Sequence, residues 1–345
     1  MSQASLQAIP RTMDLKSILE IRSLCQENPC RGKIRAQVES LVRKDSANGK
    51  PFWELRLRDA RSSLTLRAWS DSLAFSQCSI LLTCSAVEVT GEFFCNGQYG
   101  LDARRWEIRS LSDEESHSLF QGESSTEEDF GWIQQTAEKL NDPRLRELGL
   151  IFLKDFGTRF CRAAAARKMH HAHRGGLCRH TAQMMRMADK VASVYPHLNR
   201  DLLVAGTLFH DCGKLWEVCP PEEGFLVSYD LRGELVGHIS IGIELINTLW
   251  RKLSLDSWKE VLPPSEEVRL HLIHLVAAHH GEYEFGSPVL PKTPEAIALH
   301  YIDNMDAKLE MIREAYVVNQ QVAPAVFEKC RPLNVGPISP LSPFF

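Results

Sequence analysis

Residues 200–214 read RDLLVAGTLFHDCGK. Eight nearly unbroken apolar positions, Leu202 to Phe209, follow an asparagine at 199 that can cap a helix, so a buried-type helix is predicted over Arg200–Phe209. Its end delivers His210-Asp211, and Gly213 then stops it before Lys214. An HD dipeptide alone is a common chance pairing. Its neighbours change that: His180 opens a helix upstream, His238 opens one downstream, His279-His280 close another, and Asp303 lies in the last. Twelve of the thirteen histidines fall between 170 and 300.

Outward from this stretch the apolar residues keep spacings of three and four. Helices are predicted over Trp132–Leu140, Arg144–Ala166, Thr181–Tyr195, Ile239–Leu253, Glu266–His279 and Pro294–Tyr316. Gly281 ends one of them and Pro294 sits just inside the start of the last. Before residue 112 the period is two. Trp53, Leu55 and Leu57 alternate with Glu54, Arg56 and Arg58, and Leu64, Leu66 and Ala68 with Thr65, Arg67 and Trp69. Further strands are expected at Gly32–Val42, Ile80–Gly91 and Gln98–Leu111, with turns at Asn48-Gly49 and Arg58–Arg61. Five short strands in about 80 residues indicate a small barrel.

The chain therefore reads as multidomain: a small all-β OB-type barrel followed by an all-α helical bundle. The expected boundaries are 1–19 for an N-terminal extension, 20–111 for the barrel, 112–130 for an acidic linker, 131–325 for the helical domain and 326–345 for a Pro-rich, irregular tail. Charge follows the same division. Residues 1–110 carry 16 basic and 12 acidic side chains, residues 111–130 carry seven acidic and none basic, and positions 31–67 alone hold ten basic against four acidic. That last asymmetry suits a polyanion.

Composition excludes other classes. At 345 residues, 44% hydrophobic and 24% charged, the chain can bury two cores and is not globally disordered. No apolar run approaches the roughly 18 residues of a membrane-spanning helix. The stretch MSQASLQAIPRTMDLK lacks the basic and apolar segments of a secretory signal. The ten cysteines form no C-x-x-C pair, which speaks against a zinc ribbon and for thiols in a reducing compartment. A soluble, cytoplasmic protein with no membrane partner is expected.

The ordered set His180, His210-Asp211, His238, His279-His280, Asp303 resembles the metal signature of the HD-domain phosphohydrolases in a dinuclear form. The strings HRGGLCRHT, HDCGK, GHISIG, AHHGEYEFGSP and LHYIDNMDAKL are similar to those of the YhaM-type 3′-5′ exoribonucleases, which join an OB-fold domain to an HD domain. The resemblance runs in order of elements from about residue 20 to 320, and its OB part rests on strand pattern and position alone. It implies His180, His210, Asp211 and Asp303 on one metal, with Asp211 bridging to a second held by His238, His279 and His280. Imidazole with carboxylate suits first-row ions, Mn, Fe or Co ahead of Zn or Mg, and two such ions can activate water for in-line attack on phosphorus. Lys214, three residues past Asp211, can reach the same side and steady phosphoryl charge.

Any one of these histidines, taken singly, is more often a cap or surface group than a ligand. His271 and His274 stand outside the pattern and read as packing or surface residues. His170, His171, His173 and Arg174 are candidates for substrate phosphate, with a solvated basic turn as the equal alternative. Asp306, one turn past Asp303, reads as a partner to the ligands or a contact to substrate, with a plain helix-surface Asp as the equal alternative. In the barrel, Arg56, Arg58, Arg67 and Trp69 share the outward face of two neighbouring strands, as in OB folds that bind single strands, although a plain solvated face has the same pattern. The expected activity is metal-dependent 3′-5′ hydrolysis of single-stranded RNA to nucleoside 5′-monophosphates, with single-stranded DNA and self-association left open. The alternative is a phosphohydrolase of a small nucleotide whose barrel serves assembly or regulation, and a non-catalytic binding protein is disfavoured by the intact ligand set.

Overall fold

The computed structural model describes residues 14–25, 28–96, 100–120, 124–167, 171–227, 229–319, 321–330 and 333–341. These divide into two compact units, one ending at Leu119 and the other beginning at Phe120.

The first unit is a barrel built on one long strand. β1 (Leu15–Lys16) and α1 (Ile18–Leu24) precede β2 (Cys30–Asp45), β3 (Pro51–Arg58), β4 (Ser63–Trp69), α2 (Leu73–Cys78), β5 (Ala86–Asn96), β6 (Gly100–Ser110) and α3 (Asp113–Phe120). β2 pairs antiparallel with both β3 and β5, giving the order β4-β3-β2-β5-β6, with β1 added parallel to β2. This order, with a helix between β4 and β5, is that of an OB-type barrel. The period-two reading selects its interior: Leu55, Leu57, Leu64, Leu66 and Ala68 are buried together with Ile34, Val38, Val87 and Val89. Trp53 is only half-buried, against Phe75 of α2.

Two boundaries differ from expectation. Residues 14–19 are part of the barrel, because Ile18 and Ile21 are fully buried in its core and the Asp59 carboxylate accepts from the Ile18 amide at 2.7 Å. Residues 1–13 of the expected extension lie outside the described residues. The acidic stretch is helical on both sides of residues 121–123, which are also outside them. Ser112 and Glu115 cap the start of α3 reciprocally, and Glu115 is gripped by Arg35 at 2.7 Å and Arg109 at 2.9 Å. Acid that reads as solvated in sequence is thus spent on basic strand residues.

The second unit holds α4 (Ser124–Glu138), α5 (Pro143–Phe160), α6 (Gly176–Val194), α7 (Arg200–Phe209), α8 (Lys214–Glu217), α9 (Leu231–Trp250), α10 (Ser265–Ala278) and α11 (Pro294–Val318). α7 is the central rod: Leu202 through Phe209 are all buried, and α5, α6, α10 and α11 pack around it. Asn199 caps it, accepting from the Leu202 amide at 3.0 Å. A break at Gly237 (φ 73°) divides α9, so its long half starts at His238. The tail is less irregular than predicted. β7 (Gln321–Ala323) and β8 (Val326–Phe327) pair, and bridges join Cys330 to Val335 and Val326 to Ile338. Among the described residues no helix is long and apolar enough to cross a membrane.

Arg144 locks one corner of this unit. Fully buried in α5, it bonds Asp142 at 2.6 Å, the carbonyls of Pro263 at 2.6 Å and Val261 at 3.3 Å, and the Ser265 hydroxyl at 3.3 Å. Arg144→Met leaves the Asp142 charge and these acceptors unmatched, and breaking a buried pair costs about 3–5 kcal/mol. Urea unfolding followed by circular dichroism should show a loss of that size in the helical unit, and a shift below about 0.5 kcal/mol would make the guanidinium dispensable.

Candidate metal centre and barrel face

The C-terminal end of α7 converts a core helix into a site. His210 is fully buried and Asp211 is 2% exposed. Gly213 allows the start of the long half of α9 to approach, since a Cβ there would stand 1.9 Å from the His238 carbonyl oxygen. His180 comes from α6, His279 and His280 from the end of α10, and Asp303 from α11. The Asp211 carboxylate is the meeting point. Its Oδ2 lies 3.2 Å from His210 Nε2, 3.9 Å from His180 Nε2 and 2.7 Å from Lys214 Nζ. Its Oδ1 lies 3.6 Å from Nε2 of both His238 and His279. Asp303 Oδ1 is 3.3 Å from His180 Nε2.

All five rings of the cluster engaged through Nδ1 present Nε2 to the centre. His210 Nδ1 donates to the Thr207 carbonyl, His279 to Val276 and His280 to Phe285, each at 2.7 Å. His238 Nδ1 meets Glu217 at 2.9 Å and His180 Nδ1 meets Asp306 at 2.7 Å. Such outer contacts fix the tautomer and aim the ligand lone pair. Asp211 Oδ1, His238 Nε2 and His279 Nε2 are buried without a hydrogen-bond partner. Buried lone pairs converging with no donor between them fit a divalent cation. Two triads satisfy metal-ligand spacing around Asp211, namely His180–His210–Asp211 and His238–His279–His280.

Electrostatics separates the two triads. Burial opposes charge on His180, but hydrogen bonds and charge from Asp303 and Asp306 outweigh it and push its pKa up to about 9. Burial and the neighbouring His280 hold His279 well below its ordinary value, and burial with His238 lowers His280. Burial alone would raise Asp211, yet the Lys214 ammonium and the His210 and His238 rings hold it well below the usual carboxylate range. His279 and His280 thus stand ready as neutral ligands, whereas His180 must first lose a proton.

The remaining candidates fall elsewhere. Asp306 is buried beneath His180 and also bonds His171 Nε2 at 2.9 Å, and His171 is itself fully buried rather than at a mouth. Arg174 donates to the carbonyls of Pro221, Glu222 and Gly224, tying down that loop. His173 is half-buried with Nδ1 3.0 Å from the Arg174 carbonyl, and His170 lies outside the described residues. His274 accepts from the Lys292 amide at 2.9 Å, away from the cluster. Glu217, and His300, whose Nδ1 bonds the His279 carbonyl at 3.0 Å, were not among the candidates read from sequence, and His171 was read there as a substrate contact. Glu217 follows Lys214 by one helical turn, and that spacing was the available signal.

On the barrel, Arg56, Arg58, Arg67 and Trp69 do share one outward face, with register pairs Arg56↔Thr65, Glu54↔Arg67 and Phe52↔Trp69. The same face carries acids. Glu39 takes Arg56 at 2.8 Å and Arg58 at 3.4 Å, while Glu54 takes Lys44 at 2.7 Å and stands 3.9 Å from Arg67.

Comparison with known proteins adds two findings. Residues 177–308 match the family model described as HD domain. The chain is 33% identical over 287 residues to the 3′-5′ exoribonuclease YhaM of Bacillus subtilis, covering 81% of this chain and 85% of that protein. It is 34% identical over 282 residues to the protein of the same name from Listeria innocua, covering 80% and 84%. For that of a Geobacillus strain the figure is 32% over 293 residues, covering 84% and 85%.

The His180 proton gives the centre a pH signature. With a metal-free pKa of about 9, the ring competes with metal for its own Nε2, so lowering the pH weakens binding and raising it strengthens binding. Mn²⁺ affinity, measured against a competing chelator, should fall about tenfold per pH unit from this proton between about pH 8.5 and about pH 6.5. A flat profile would show that no such proton is displaced.

Proposed function

The chain belongs to the YhaM family of 3′-5′ exoribonucleases, and from that membership we propose that it digests single-stranded RNA from the 3′ end, releasing nucleoside 5′-monophosphates at the His/Asp centre of its helical unit. It is a metal-dependent hydrolase. The observation that carries the reading is the buried Asp211 carboxylate, flanked by two histidine sets whose Nε2 atoms converge on it.

His180, His210, Asp211 and Asp303 would hold one divalent ion, and His238, His279 and His280 a second, with Asp211 shared. Mn, Fe or Co suit this mixture of imidazole and carboxylate better than Zn or Mg. Bound metal supplies Lewis acidity toward phosphoryl oxygens and a nucleophile generated from water at neutral pH. The chain's own residues do the rest. Glu217 and Asp306 keep His238 and His180 oriented, and the Thr207, Val276 and Phe285 carbonyls do the same for His210, His279 and His280. Lys214, 15% exposed in its side chain and beside Asp211, brings an ammonium to the phosphoryl charge that builds during hydrolysis.

The barrel takes the strand through the outward face that carries Arg56, Arg58, Arg67 and Trp69, with single-stranded DNA as a second strand type. The ten cysteines are free thiols, which fits a reducing cytoplasm.

Asp211→Asn should stay helical by circular dichroism while bound metal, by elemental analysis, and digestion of 5′-labelled RNA are both lost. Wild-type digestion by that folded protein would refute the site. Lys214→Ala should behave otherwise, keeping its metal while turnover falls about 10²- to 10³-fold, the usual cost of one electrostatic donor. Loss of metal along with rate would make Lys214 a support for Asp211 instead.

A further inference from the structure

Resting on the reading that the barrel captures RNA, we propose that one nucleobase of the strand enters a groove between β4 and the β5–β6 hairpin, stacking on Trp69 and Phe94, with its phosphate on Arg105. The groove encloses about 690 Å³ and lies beside the arginine face. Trp69 is 37% exposed and braced from behind by Phe52, with ring centroids 4.7 Å apart. Phe94 is half-buried on the opposite wall, under the Arg104 guanidinium at 5.7 Å. Two aromatic surfaces across an open groove form the kind of platform on which bases stack.

Arg105 is set apart from every other arginine of this surface. The β5–β6 register runs Thr90↔Glu107 and then Glu92↔Arg104, so Gly91 faces two residues, Arg105 and Trp106. Within this bulge Arg105 adopts φ 52°, the left-handed region that a β-carbon disfavours. A Cβ on Gly91 would stand 2.6 Å from that of Trp106, so the bulge is built into the pairing. Bulges re-aim side chains, and backbone strain of this kind collects at binding sites. Arg104 is paired with Glu92 at 2.9 Å, and Arg56, Arg58 and Arg67 face Glu39 and Glu54. The Arg105 guanidinium has no hydrogen-bond or ion-pair partner among the described residues, and Glu92 acts on it only at longer range.

The groove also carries Asp71, Asp102 and Glu107, which balance its three arginines. It is therefore unsuited to tracking several phosphates and suited to a base with one phosphate at its rim. This predicts weak salt dependence there and a large loss on removing an aromatic ring.

The full chain carrying Asp211→Asn is titrated into a 5′-fluorescein 12-nucleotide oligouridylate and followed by anisotropy across a salt series. Adding Trp69→Ala, or Phe94→Leu to preserve packing, should weaken binding on the order of 10-fold at every salt concentration with the slope unchanged. Adding Arg105→Gln should flatten the plot of log affinity against log salt by about 0.7, one phosphate's worth. Photocrosslinking a 4-thiouridine version of the strand to the otherwise unaltered Asp211→Asn chain should place adducts at Trp69 or Phe94. If the parent binds and all three variants bind like it, or adducts form only outside the groove, the groove is wrong while the RNA reading stands. The groove is equally overturned if the parent fails to bind a strand that the wild-type chain digests. Neither binding by the parent nor digestion by wild type would instead remove the RNA reading itself.

Discussion

A carboxylate buried at the end of an apolar helix must be surrounded by cations or donors, and Asp211 imposes that demand on the helical unit. Desolvating one charge costs several kcal/mol even after relaxation. The chain answers with Lys214 at 2.7 Å and with imidazoles from the ends of α7, α9 and α10 and from α6. The Lys214 ammonium satisfies Oδ2, while Oδ1 is left facing two Nε2 lone pairs. The arrangement makes physical sense as a cation-binding centre, because only a positive centre can face a carboxylate and several unprotonated ring nitrogens at once.

The outer layer decides whether those nitrogens can act. An imidazole with both nitrogens free can flip or change tautomer, whereas here each Nδ1 is held by a backbone carbonyl or a carboxylate. The carbonyls cost nothing in sequence: Thr207, Val276 and Phe285 serve through their main chain, and two of them lie in the last helical turn before the histidine they hold. Asp306 does double duty, bonding both His180 and the buried His171, so the His180 side is braced to a greater depth than the His238 side.

The barrel shows why a charge count is not a field. Ten basic residues against four acidic ones in positions 31–67 suggest an open cationic face. Register then brings Glu39 beside Arg56 and Arg58, and Glu54 beside Arg67 and Lys44, so much of that charge is consumed locally. Exposed pairs of this kind contribute little to stability, but they compete with any phosphate for the same guanidinium. The acidic run after β6 follows the same logic, with Glu115 drawn onto Arg35 and Arg109.

Local periodicity was enough to separate a strand-rich segment from a helical one, to place α7 at Arg200–Phe209, and to assign Leu55, Leu57, Leu64 and Leu66 to one face, because side-chain direction repeats every two or 3.6 residues whatever the partner. The resemblance to the HD-domain phosphohydrolases, and not the spacing, singled out His180, His210, His238, His279, His280 and Asp303 together with Asp211, around which the fold gathers them. Helix in the acidic stretch, the barrel role of residues 14–19 and the bridges in the tail were not legible, because each depends on a partner distant in sequence: Arg35 for Glu115, Asp59 for Ile18, Val326 for Ile338. Only the tertiary structure decided which nitrogen of each ring faces the centre, that His171 and Arg174 are structural neighbours of the loop and ligand shell, and that Arg105 is turned outward by a bulge. Those outcomes are set by distances between segments, which a one-dimensional pattern does not contain.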